Sequence, residues 1–318
     1  MVRINRHVIS FVAIFWLIGL PVYGQQPLRM EWSLAHDNDL YLFNRQDQYY
    51  TNGILLSFRK AADSTRLRTH EHNRTWSVYA GQKLYTAYTG QIHTMNEVDR
   101  PITAYLFAGA NLAHYYTNES VLSLSAELGT IGRRALGKQA QEVVHRVLHL
   151  YEIAGWEYQL ENAFGADISA EYARKIYRNP HRWFDVTAQA VGTLGLTNTR
   201  LSVAPTFRLG RLNRLHSTAY FSSRLQSRAA TVANELFFYY KPQLSWVGYD
   251  ATIQGGLFRQ DKGPVSFRPA RWVFANQVGV MYAHRKITCS LQYIFSTKES
   301  SSMFFRHQYG SLGVSFRY

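Results

Sequence analysis

The sequence predicts an all-β protein, a twelve-stranded antiparallel transmembrane β-barrel with a short extracellular helix in the third outer loop. Three observations predict it. Apolar and polar residues alternate with period two along most of the chain, and the 22 Tyr, 18 Phe and 7 Trp make it unusually aromatic. Beyond the N-terminus, no run reaches the roughly 20 consecutive apolar residues that a membrane-crossing helix needs.

Taken in order, residues 1–24 read as a secretory signal. Arg3 and Arg6 precede an apolar run from Val8 to Leu20, and Val22-Tyr23-Gly24 offers a cleavage site, so the mature barrel is expected to span 25–318. Strands are expected at 28–37, 50–60, 75–85, 103–116, 119–130, 156–177, 183–194, 199–210, 234–248, 271–284, 286–297 and 307–318. The last is the clearest: Leu312, Val314, Phe316 and Tyr318 share one face, and Gly313, Ser315 and Arg317 the other. Polar inward and apolar outward suits a closed sheet in lipid, where every backbone group must be paired and no edge can face hydrocarbon. A soluble β-sandwich also alternates with period two; the aromatic content and the terminal strand favour lipid.

With both ends in the periplasm, the connections 38–49, 86–102, 131–155, 195–198, 249–270 and 298–306 face outward. The connection 211–233 is long yet periplasmic in this count, and an extra hairpin there would make fourteen strands. Within 131–155 the pattern changes. Val143, Val144, Val147, Leu148 and Tyr151 recur at steps of three and four, which predicts an amphipathic helix between Gly137 and Tyr151. Its opposite stripe carries Gln141, His145, His149 and Glu152. Such a helix could bury its valines against the barrel wall and aim the stripe at the first hairpin.

That hairpin contains "AHDNDLYLFNRQDQYYTNG", 35–53. Asp and Asn favour turns by bonding their own backbone, so strand-end turn chemistry is one reading. Hard oxygen ligands for calcium, from Asn38 and Asp39, are the other. By parity Asp37 and Asp39 continue the lumen-facing set Glu31, Ser33 and Ala35, and Thr51 goes with Gly53, Leu55 and Ser57, so that Asp39, Thr51 and His145 could converge at the outer rim. A solvated histidine on a surface helix, or zinc clamped by His145 and His149, are alternatives for the helix; the latter lacks the Glu of a His-Glu-x-x-His protease.

The formal charge of +14 falls to +12 without the two signal arginines (14 − 2). These charges are dispersed and the chain is exported, which argues against nucleic acid and for anionic glycolipid phosphate. Cys289, the single cysteine, precludes an intrachain disulfide and reads as a small hydrophobe on an apolar strand face.

Several blocks together resemble the outer-membrane lipid A 3′-O-deacylase family: Asn38-Asp39; Asp47-x-x-Tyr50-Thr51-Asn52-Gly53; Asp99-Arg100-Pro101; Gly132 and Gly137 leading to Gln141-x-x-x-His145-Arg146; and Gly155-Trp156-x-x-Gln159-Leu160-x-Asn162. The resemblance implies a monomeric twelve-stranded barrel in the bacterial outer membrane. It would hydrolyse an acyl ester of lipid A, or of the whole lipopolysaccharide, in the outer leaflet with calcium, at a site facing outward. It carries the catalytic base to His145, the Asn-Asp pair at the metal to Asn38 and Asp39, the loop threonine to Thr51, and an acidic residue at the metal to Glu152, with Tyr151 the alternative in an ungapped match. No serine nucleophile is then needed, and no Gly-x-Ser-x-Gly occurs. Ile102-Thr103-Ala104 replaces the family's aromatic and glycine after Asp99-Arg100-Pro101, and the preceding "AYTGQIHTMNEV" holds no Lys or Arg, so headgroup recognition is expected to differ. The rival readings are a non-enzymatic barrel, either narrow pore or surface protein, and a barrel phospholipase acting on glycerophospholipids.

Overall fold

The computed structural model describes residues 28–42, 47–226 and 232–318; the expected signal, 1–24, lies outside them. Twelve antiparallel strands close into one barrel. They are β1 (Met30–Asn38), β2 (Tyr50–Ala61), β3 (Glu71–Tyr85), β4 (Thr103–Tyr116), β5 (Ser120–Ile131), β6 (Ala163–Arg178), β7 (Phe184–Gly195), β8 (Asn198–Arg211), β9 (Glu235–Asp250), β10 (Trp272–His284), β11 (Ile287–Ser296) and β12 (His307–Arg317). Each pairs with its sequence neighbours, and β1 closes on β12 with Trp32 opposite Phe316 and Leu34 opposite Val314. Closure removes the sheet edges, the condition for a sheet to stand in hydrocarbon.

The molecule is inside out relative to a soluble domain. Trp32, Leu34, Trp76, Val78, Leu124, Leu128, Leu201, Leu291 and Phe316 are exposed, whereas Glu31, Asp185, Arg208 and Arg317 are buried. The interior charges meet in pairs, among them Arg317 with Glu31 (2.8 Å) and Arg208 with Asp185 (2.6 Å). Among the described residues no helix is long and apolar enough to cross a membrane.

Two expected boundaries move. Residues 156–162 do not begin β6: Trp156–Tyr158 form a 3-10 turn and the strand starts at Ala163, because Gly155 in the left-handed region (φ 105°) turns the chain first. The connection 211–233 adds no strand among its described residues. It folds back into the barrel, where Asn73 Nδ2 donates to the Leu225 carbonyl (2.5 Å) and the Tyr115 hydroxyl to that of Phe221 (3.0 Å). Arg224 is held by Glu235 at 3.0 Å, and Tyr220, Phe221 and Ser222 line the same lumen cavity as Leu55, Ser57 and Arg59. A long connection at the end where turns are short is thus placed inside the barrel mouth, where it stands in the path of ions. The intact chain is therefore expected to be silent in planar-bilayer recordings, and a chain with 214–226 replaced by a short Gly-Ser linker to conduct ions; steady conductance by the intact chain would show that this segment does not seal.

At the opposite end, loops 38–49, 86–102 and 298–306 are tied through one buried carboxylate. Asp99 accepts from the Tyr49 hydroxyl (2.7 Å) and from the backbone N–H groups of Tyr88 (2.9 Å) and Phe304 (2.8 Å), and the Tyr49 oxygen accepts from Phe305 N–H (2.9 Å). Tyr49 sits in the left-handed region (φ 63°), a conformation costly for a bulky residue. The clamp fixes the short segment between Asp47 and Thr51.

Candidate active site

The helix α1 (Gly137–Leu148) lies where the 3.6-residue period placed it, but against the outside of the barrel wall. Gly137 abuts Ala104 and the Trp156 ring so closely that a Cβ would collide with both. Gln82 Nε2 donates to the Ala135 carbonyl (2.5 Å) just before the helix. Gln82 and Ala104 share strand faces with Val78 and Leu106, both exposed to the membrane side. So α1 covers the lipid-facing surface of β3 and β4 at one rim.

Its valine face departs from the expectation, while its polar stripe does meet the first hairpin. Gln141 and His145 are buried, whereas Val143 and Val147 are 54% and 64% exposed. The polar stripe is also shorter than its spacing suggests. His149 adopts φ 52° and ends the helix, so neither it nor Glu152 continues the line of Gln141 and His145.

What the buried stripe meets is Asp47. Its Oδ2 atom faces His145 Nε2 at 2.9 Å and accepts from Gln141 Nε2 (2.9 Å) and the Tyr151 hydroxyl (2.6 Å). Gln141 Oε1 is fixed by Trp156 Nε1 (2.7 Å). On the other side of the imidazole, Nδ1 donates to the Tyr151 carbonyl (2.8 Å), which sets the tautomer. Gly90 is the close approach that admits Tyr151: a Cβ there would strike its hydroxyl. Burial alone would lower the His145 pKa, but the bonds to Asp47 and Tyr151 and the charge of Asp47 outweigh it and raise the value above 6.5. Burial would likewise raise Asp47, but its bonds to His145, Tyr151 and Gln141 hold it below the usual carboxylate value. The two directions agree: each partner favours the charged form of the other.

The first hairpin supplies the rest. Beside Tyr50 the ladder slips by one residue, giving a bulge at Thr51: Tyr50 opposes Tyr85 and Asn52 opposes Leu84. Tyr50 therefore points inward, its hydroxyl donating to Asp37 Oδ2 (2.8 Å), while Thr51 and Asn52 both face the outside pocket. Strand parity alone had placed Thr51 in the lumen; the bulge reverses that. Asp39 likewise leaves the lumen-facing set, because β1 ends at Asn38 and Asp39 opens a 3-10 turn.

The resulting pocket encloses about 50 Å³ and is lined by Asn38, Asp47, Thr51, Asn52, Gln141 and His145 on its polar side, with Leu40, Leu84, Val144, Leu148 and Leu150 as its apolar wall. Beside it, Asp39 is 1% exposed; its Oδ2 accepts from Gln48 N–H (2.6 Å), while Oδ1 has no partner. Burial and then the negative charge of Asp47 push Asp39 up to about 8. Thr51 is 2% exposed and its Oγ1 is also without a partner. Two buried oxygens near Asp47 are thus left without a hydrogen-bond partner.

Of the residues singled out in the sequence, Asn38, Thr51 and His145 line this pocket and Asp39 adjoins it. Asn38 also does local work, its Oδ1 accepting from Leu40 N–H (2.7 Å), the turn chemistry expected at a strand end. Glu152 is not brought in: it is exposed, and its backbone carbonyl is what receives Gln91. Tyr151 stands in its place, with both carbonyl and hydroxyl engaged. Sequence reasoning missed Asp47 as a site residue and carried Tyr151 only as the ungapped alternative to Glu152. Asp47 stood in the block Asp47-x-x-Tyr50-Thr51-Asn52-Gly53, but nothing in its spacing pointed to a histidine 98 positions away. Among the described residues no three of His, Cys, Asp and Glu gather as a metal cluster.

Comparison with known proteins bears on this arrangement. The family model described as outer membrane protein LpxR matches residues 9–318. The chain belongs to the LpxR family. Among solved structures it is similar to LpxR from Salmonella typhimurium, with 18% identity, 91% of this chain and 100% of that chain covered, and a TM-score of 0.72. The beta domain of the Bordetella autotransporter Brka also matches, with 13% identity, 91% of this chain and 98% of that chain covered, and a TM-score of 0.48. No curated protein matches the chain. The LpxR fold is thus a closed twelve-stranded antiparallel barrel here too, in a family of the bacterial outer membrane.

Proposed function

We propose that this LpxR-family barrel is a lipid A deacylase, hydrolysing an acyl ester of lipid A at the outer-leaflet rim. The observation that carries the reading is the position of the buried His145–Asp47 pair: outside the barrel wall, in a pocket with one polar and one apolar side, where a lipid ester would arrive from the membrane.

With Nδ1–H held by the Tyr151 carbonyl, Nε2 is the nitrogen that can accept a proton. Asp47 meets Nε2 directly at 2.9 Å, so the step requires the carboxylate to give way to a water, which then gives up its proton to Nε2 as its oxygen attacks the ester carbonyl. The C–O bond to the sugar then breaks, and the departing alkoxide takes the proton back from Nε2. Asp47 steadies the imidazolium that forms between these steps. Gln141 and Tyr151 hold Asp47 in place.

The unpartnered Asp39 Oδ1 and Thr51 Oγ1, with Asn38 alongside, are hard oxygen donors and fit a cation such as calcium. Positive charge there would stabilise the developing oxyanion. Glu152 contributes nothing to this fit from its exposed position. Headgroup preference follows from the absence of Lys and Arg in 87–98 and is expected to depart from members that carry basic residues there.

The test is expression in a strain of known lipid A, with calcium supplied, and mass spectrometry of the extracted lipid. Loss of one acyl chain is expected; identical lipid A with and without the protein would overturn the reading, and fatty acid released only from phospholipid vesicles would transfer it to glycerophospholipid. A pH profile adds a second check. The base works as neutral imidazole, and a pKa raised above 6.5 delays that form, so the ascending limb is expected above pH 6.5. Asp47→Asn removes the bond and charge of the carboxylate and leaves burial opposed only by the Tyr151 carbonyl, which should move the limb to lower pH while lowering the maximal rate.

A further inference from the structure

Helix α1 carries three edges where a surface helix normally carries two. Gln141 and His145 form the edge buried on the protein. Lys138, Glu142 and Arg146 follow at steps of four along a second, polar edge, with Lys138 and Glu142 3.8 Å apart. Ala140, Val143, Val144 and Val147 recur at helical steps along a third edge, and here Val143 and Val147 are more exposed than most of the barrel's own membrane-facing side chains. Leu136, Leu148 and Leu150 extend this apolar surface at both ends of the helix, at 51%, 47% and 40% exposure.

The surface continues one already assigned. The helix is seated on the outer side of β3 and β4, whose faces below it present Trp76, Val78, Leu106 and Leu112 to lipid. An apolar edge beside a polar edge, on an element attached to the membrane-facing wall, is the pattern of a helix lying in a lipid–water interface.

We propose that α1 is an interfacial helix whose Val143–Val147 edge is immersed in the acyl region of the surrounding leaflet, with Lys138, Glu142 and Arg146 at headgroup level. The helix then forms part of the membrane contact, and the pocket behind it opens into hydrocarbon between Leu40, Leu148 and Leu150. The inference rests on the membrane location, not on the chemistry proposed for His145, so the two can fail separately.

The experiment places an environment-sensitive fluorophore on a single cysteine in the full chain, with Cys289→Ala removing the native thiol. Val147→Cys reports the apolar edge; Glu157→Cys, exposed in the same loop, serves as the aqueous reference. The protein is reconstituted in phosphatidylethanolamine/phosphatidylglycerol vesicles with and without bromine on the acyl chains. The label at 147 is expected to be quenched by brominated chains and to be protected from aqueous iodide by roughly fivefold relative to 157. Iodide quenching at 147 equal to that at 157, with no effect of bromine, would overturn the proposal. If Val147→Cys fails to fold, Val143→Cys reports the same edge.

Discussion

His145→Ala is expected to abolish deacylation, lowering the rate by about 10²–10⁴-fold, the usual contribution of a positioned general base. The readout is the fraction of lipid A lacking one acyl chain, followed by mass spectrometry over time in membranes containing equal amounts of folded barrel. Folding should survive, because the helix is seated on the wall through Gly137, Ala104 and Trp156 rather than through the imidazole. His145→Gln provides a closer match in size and hydrogen bonding: it should retain the contact with Asp47 but cannot accept a proton, so it should be as inactive as alanine. If the glutamine variant kept more than about a tenth of wild-type activity, transition-state proton transfer could not be the role of this residue.

Asp39→Asn is expected to remove the response to calcium. In wild type, chelation should depress activity by more than about tenfold, and saturating calcium should raise the thermal midpoint of the detergent-solubilised barrel. A ligand at a hundred times its dissociation constant stabilises by about 2.7 kcal/mol. In the asparagine variant both effects should vanish. The substitution is structurally mild because Asp39, pushed up to about 8, is largely protonated at neutral pH in the absence of a cation; an amide oxygen can still accept from Gln48 N–H. Magnesium should substitute poorly, since it demands tight octahedral geometry and keeps its waters. An unchanged calcium shift in Asp39→Asn would locate the ion elsewhere, and no shift in either protein would remove calcium from the reading.

The barrel was legible because its physics is local. Closed sheets in lipid must alternate, and alternation is readable in one dimension: strands such as 103–116 and 307–318 sit within a residue of where their patterns put them. The helix was legible for the same reason, through its 3.6-residue step. Which face it buried was not. The sequence reading expected the polar stripe to face the first hairpin, as it does through Asp47, and the valines to bury, by the rule for water-soluble surfaces. On a membrane wall the solvent is hydrocarbon, and the rule inverts.

The site divides along the same line. Asn38, Asp39, Thr51 and His145 could be named from local motifs, as could the strand ends and loops that bear them. Their convergence at the outer rim was expected as well, but from lumen-facing parity; its place outside the wall could not be read, because it depends on a single-residue bulge at Thr51, on a 3-10 turn that removes Asp39 from strand parity, and on the left-handed Tyr49 clamped by Asp99. Asp47 is the sharpest case: its partner lies 98 residues away, and no period or spacing in the chain encodes that distance. By itself, then, the sequence determined the strand count, the faces of the regular strands and the existence of the helix, since hydrophobic periodicity acts within each element. The tertiary structure alone decided which side of the wall holds the imidazole and which carboxylate it meets, because those follow from how loops fold against one another once the barrel has closed.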